Sequence, residues 1–189
     1  QMVLSKLAEE MSNTIVATIK GADDVLSALR GAVKNQVTGT LKDVGDIASS
    51  SLEGVADVVH GGVAAASKVG VSLTGAVKDA VASAVLAVSE TGGNIMTAAS
   101  KAARGAVSGV AEVGGDVANA AVSAVEGAIE SAGNVGASTM DAAREASLGA
   151  IKAADDVSDE VGKTVRDALL AAASLPRDVI EKVVKGSEK

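Results

Sequence analysis

The chain has 189 residues, 48% of them hydrophobic, with no Phe, Trp, Tyr or Cys, one Pro and 21 Gly. Lacking cysteine, it holds no disulfide or thiolate metal site, and its apolar side chains of Ala, Val, Leu, Ile and Met suit thin, closely spaced helix interfaces. With 17 Lys+Arg against 24 Asp+Glu, the net charge of −7 speaks against nucleic acid and strongly anionic membranes as partners.

From the N-terminus, Gln-Met-Val-Leu-Ser-Lys lacks the shape of a signal peptide, and a start at Gln1 fits a chain that has lost a leader, which points to an extracellular or cell-surface protein. No apolar run is long enough for a membrane span, the greasiest being Ala80 to Ser89, so the chain is not read as transmembrane.

Beyond this opening, one period dominates. Asn35, Asp46, Asp57, Lys68, Asp79, Glu90, Lys101, Glu112, Ser123, Asn134, Glu145, Asp156, Asp167 and Asp178 are spaced eleven apart and all are polar. A helix with 11/3, or about 3.67, residues per turn returns every eleventh residue to one azimuth, so the column predicts a polar stripe down a very long helix. Labelling the repeat abcdefghijk with Val33 at a, the polar column is c, and positions d, h, a, e and i form an apolar face of roughly 130°.

A second period of 22 residues lies on the first. Position e alternates Val59, Gly70, Val81, Gly92, Ala103, Gly114, Val125, Gly136, and h is bulky where e is glycine: Leu73, Ile95 and Val117. Val161 falls in the same h series, and i follows e with Val85, Val107, Ile129 and Ile151. Knobs and clefts recur every 33 Å or about that on a continuous helix, so neighbours staggered by one hendecad would interdigitate. Val59, Gly70, Leu73, Val81, Val85, Gly92, Ile95, Val107, Gly114, Val117, Val125, Ile129, Gly136, Ile151 and Val161 are thus the expected self-association stripe. Leucine at Gly92 or Gly114 should block assembly.

Gly92-Gly93-Asn94 has turn composition, but the columns cross it without a slip, from Val88 to Ala99 and from Glu90 to Lys101. The same holds at Pro176, where a kink is expected, with Ser174 restarting the helix. The predicted fold is therefore all-α: a single, nearly straight hendecad helix over 1–175, with a kinked helical extension and tail over 176–189. Such helices would pack side by side into a straight or right-handed coiled-coil bundle, tube or filament; the alternative is a long helical hairpin bent near 92–94. With so many glycines and valines the helix depends on burial of its stripe, so folding is expected to be coupled to assembly or surface binding.

Candidate chemistry is sparse. His60, the single histidine, falls at position f on the outer face and is read as solvated, with no serine in reach unless a neighbour supplies one. Asp155, Asp156, Asp159 and Glu160, like Asp141 and Glu145, are read as solvated acidic patches without the oxygen-rich loop of a calcium site. Gly105-x-x-x-Gly109 matches a close-packing helix motif, and no phosphate-binding glycine loop occurs. The reading is a non-enzymatic protein without cofactor or metal.

The stretch Glu53-Gly-Val-Ala-Asp-Val-Val-His-Gly-Gly-Val-Ala-Ala-Ala-Ser-Lys68 resembles the eleven-residue repeats of the synucleins, and the whole-chain period is similar to that of synuclein, perilipin and other hendecad long-helix proteins. That resemblance implies an amphipathic helix that coats lipid droplets, vesicles or granules. The sequence thus leaves two functions: self-assembly with copies of itself into a fibre, tube or bundle, or coating of a lipid surface, with lipid enclosed in a helical tube as a merger of the two.

Overall fold

One four-residue motif recurs every 22 residues: Val69-Gly-Val-Ser72, Thr91-Gly-Gly-Asn94, Val113-Gly-Gly-Asp116 and Val135-Gly-Ala-Ser138. In a computed structural model, which describes residues 6–44 and 52–188, each is a tight turn between two helices. Thr91–Asn94 illustrates the mechanism. Gly92 takes φ +81, a left-handed conformation that costs glycine nothing. The Gly92 N–H donates to the Ser89 carbonyl (3.2 Å) and the Gly93 N–H to that of Val88 (2.9 Å), satisfying the last carbonyls of the outgoing helix. Two residues on, the Asn94 side chain accepts from the N–H groups of Met96 and Thr97 and caps the incoming helix. Asp116 and Ser138 cap likewise, through Asn119 and Asp141.

The described residues form α1 (Lys6–Ile19), α2 (Val25–Val44), α3 (Glu53–Lys68), α4 (Leu73–Glu90), α5 (Ile95–Glu112), α6 (Val117–Asn134), α7 (Thr139–Val157), α8 (Asp159–Ala171) and α9 (Arg177–Ser187). The contacts define two layers: α1, α3, α5 and α7 lie side by side, as do α2, α4, α6 and α8, and each helix also packs on its chain neighbours in the other layer. Within a layer the helices are parallel. The α3–α5 contacts keep a constant sequence offset, 48 residues for both Lys101 with Glu53 and Ser108 with His60, whereas antiparallel helices would keep a constant sum. The fold is a helical-repeat solenoid in which one helix plus one turn is the 22-residue unit.

Glycine also sets the helix spacing. Gly105, Gly127 and Gly149, again 22 apart, each lie over a carbonyl of the preceding helix in their layer: Ala56, Lys78 and Ser100. A Cβ at Gly105 or Gly149 would collide with that oxygen, and one at Gly127 would lie 2.6 Å from it. Backbone thus touches backbone, and the core needs only Ala and Val to fill it, as at Ala80, Val81, Ala84, Val85 and Val88 of α4.

The single long helix is corrected here, and with it the continuous 1–175 segment and the one-bend hairpin: the chain turns at residues 69–72, 91–94, 113–116 and 135–138 alike. The columns cross these turns unbroken because every unit has the same length, and that length is twice eleven. In consequence c alternates between helix middles (Asp57, Asp79, Lys101, Ser123) and last helical residues (Lys68, Glu90, Glu112, Asn134). Column e alternates between core valines and turn glycines, and h supplies the first residue of α4, α5, α6 and α7. Column c is no continuous wet stripe, since Ser123 is buried; Asp46 lies outside the described residues.

Pro176 does not kink a helix. It is the N-cap of α9, and Ser174 donates its hydroxyl to Glu126 (2.7 Å) across to α6 instead of restarting the helix. No helix among the described residues is long and apolar enough to cross a membrane.

Candidate functional site

The expected self-association residues divide into three groups. Val59, Val81, Val85, Val107, Val125 and Ile151 are buried in the core of the chain itself. Leu73, Ile95, Val117, Ile129 and Val161 are partly buried and pack against that core. Gly70, Gly92, Gly114 and Gly136 are turn residues with φ between +75 and +81 and open space where a Cβ would stand. They do not come together on one outer face; the packing between helices takes place inside one molecule.

The outer faces are tied by pairs that join next-neighbour helices of one layer. Arg30 meets Asp79 (3.0 Å) and Lys34 meets Glu90 (2.8 Å) between α2 and α4, and Lys78 meets Glu130 (3.4 Å) between α4 and α6. In the other layer Lys101 and Arg104 of α5 share Glu53 of α3. The Lys101 hydrogen bond holds the Glu53 carboxyl below the usual carboxylate range, so this contact adds stability near neutral pH that is lost as acid protonates it. Exposed pairs of this kind contribute little singly, and the helices are joined mainly through their buried apolar side chains.

His60 departs from the solvated reading: only 7% of it is exposed. Its Nδ1 lies 2.8 Å from Ser108 Oγ on α5, and that hydroxyl oxygen lies 3.0 Å from the Gly105 carbonyl oxygen. A neighbouring helix thus supplies the serine that one straight helix could not. Ser108 Oγ thus lies within hydrogen-bond distance of both Nδ1 and the Gly105 carbonyl, and the ring tautomer sets which of them takes its proton. Nε2 is buried without a hydrogen-bond partner among the described residues, as is Oε2 of Glu112. Burial pushes the imidazole pKa down against the opposing pull of Glu112 and then Asp57. The third group of a nucleophilic triad is missing, since no described residue hydrogen-bonds Nε2 to orient the ring.

The acidic cluster is an anchor for the C-terminal end. Arg166 grips Asp155 through two bonds, 2.7 and 2.8 Å, and reaches the hydroxyl and carbonyl of Ser187 at the end of α9. Gly162 leaves the room that the Asp155 carboxylate occupies. Asp159 begins α8, and Ser158, standing where the series Gly70, Gly92, Gly114, Gly136 would next place glycine, is extended and accepts from the Val161 N–H. No group of three His, Asp or Glu among the described residues is placed to hold a metal ion.

One groove of about 420 Å³ runs between α7 and α9, lined by Met140, Arg144, Leu148, Val179, Lys182 and Val183. Met140 (55% exposed) and Leu148 (40%) are the large hydrophobic side chains left open among the described residues. Sequence periodicity passes over this groove. Met140 continues the position of buried Leu52 and partly buried Met96, two units apart each time, and is exposed because the short α9 covers α7 incompletely.

No family model matches the chain, and no curated protein matches it. Among solved structures it is similar to the crystal structure of the de novo designed helical repeat protein DHR7, with a TM-score of 0.52 over 95% of this chain and 94% of that one. At 19% sequence identity, the likeness shows the helical-repeat fold alone.

Proposed function

We propose that the chain is a non-enzymatic structural protein, a stacked-helix scaffold that associates with copies of itself at its C-terminal end. The α7–α9 groove carries this reading, because it gathers the exposed Met140 and Leu148 in one place while the rest of the apolar repeat is used internally. A second copy is the favoured occupant on charge. The groove sets Asp141 beside Arg144 and Lys182, and a two-fold axis that brings Asp141 of one copy to Lys182 of the other pairs opposite signs. A structural role is further supported by the Ser108 hydroxyl, which is buried between the His60 ring and a backbone carbonyl.

Sedimentation velocity over a wide concentration range tests the reading. The expected result is mass-action dimer formation by the native chain, abolished in Met140→Glu with Leu148→Glu. A native chain that stays monomeric at every concentration overturns it. Flotation with liposomes, run alongside, tests lipid coating, which requires Val81, Val85 and Val107 to leave the core and meet acyl chains.

A further inference from the structure

The geometry points to His60 as a proton-sensitive latch: protonation of its buried ring opens the junction between α3 and α5. The residues that close this junction are all placed on one face of α5. Gly105 sits on the Ala56 carbonyl, Ser108 holds the ring at Nδ1, and a Cβ at Gly109 would be 3.1 Å from the carbonyl oxygen of His60 itself.

The surroundings of the ring decide which way a proton acts. Asp57 on α3 and Glu112 on α5 are the charged groups that favour the imidazolium, and burial opposes it more strongly than they favour it. From α1, the atoms around neighbouring Gly61 belong to Ala8, Met11 and Ser12; around Gly62 they belong to Val33 and Leu29 of α2 and Ile15 of α1. None of these is charged. The imidazolium, which carries an N–H at both nitrogens, therefore has Ser108 Oγ beside Nδ1 but no acceptor at Nε2 in the docked arrangement, and the helices part to admit water.

The sign follows from linkage. A folded-state pKa depressed below the unfolded value gives stability that is whole above about pH 6.5 and lost as pH falls from there through the folded value. Because each helix of a solenoid touches only near neighbours, the loss is felt at one junction first.

Proton NMR reads the latch without ambiguity, since the chain has one His and no Phe, Trp or Tyr, leaving the ring signals alone in their region. The expected midpoint lies below about 6.5, and lower still in Glu112→Gln, which removes a charge favouring imidazolium. Amide exchange in α3 and α5, corrected for intrinsic rate, should speed on acidification by about tenfold per unit of depression, while α6 to α8 keep their protection. His60→Asn should abolish that acceleration. A native midpoint at or above about 6.5, or protection in α3 and α5 that does not change across the titration, overturns the latch. The titration and exchange on the native chain decide the matter even if His60→Asn fails to fold.

Discussion

The middle of the stack and its C-terminal end are held by opposite means. From α3 to α7 the helices meet backbone to backbone at Gly105, Gly127 and Gly149, and side chains no larger than valine fill most of what is left. Beyond Val157 the glycine series stops, and the end is secured by Leu169, Leu175, Ile180 and the Arg166 clamp. Repetition permits close approach because each unit meets a copy of its own shape. A terminus has no next copy, so larger apolar side chains and a two-pronged ion pair replace the missing contact.

Substitutions should separate these regimes. The largest effect is expected at Gly105→Leu, where backbone blocks the side chain: a loss of about 3 kcal/mol or more in urea unfolding followed by circular dichroism. Arg166→Ala should cost about 2 kcal/mol, reduced from the fully buried case because its side chain is 13% and that of Asp155 24% exposed. Its damage should be local, with limited proteolysis cutting near α9 while the middle resists.

Gly92 sharpens the contrast. Its Cβ position is open, so Gly92→Ala and Gly92→Leu should both cost about 1 kcal/mol from the left-handed backbone alone. A much greater loss for leucine would show that turn glycines also pack. Asn94→Ala, which removes a cap, should cost slightly less, about 0.8 kcal/mol in the same unfolding assay. Lys34→Ala, at an exposed pair, should cost under about 0.5 kcal/mol.

Part of this arrangement is legible in the sequence alone. The 22-residue alternation stands in the sequence, Val81, Val107 and Val125 read there as packing positions though toward a neighbouring chain, and Gly105-x-x-x-Gly109 matches a close-packing motif. Connectivity was misread because an 18-residue helix such as α5 makes about five turns and the turn adds four residues, so the unit equals two hendecads and phase survives the reversal. The decisive signal was local. Glycine followed two residues later by Ser, Asn or Asp, at Gly70, Gly92, Gly114 and Gly136, pairs a helix stop with a helix start. The His60–Ser108 contact and the α7–α9 groove could not be read, since both depend on which helices become neighbours after the turns are made.

The parallel alignment within each layer makes the molecule a ruler. Two 22-residue units, 44 residues, return the chain to the same layer, direction and face, so excising 73–116 would carry Gly149 from the carbonyl of Ser100 to that of Ala56. Either oxygen leaves the same space. Such a chain is shortened or lengthened by about 10 Å per pair of helices with both ends unchanged, whereas a single unit would exchange the layers and reverse the direction of every helix that follows.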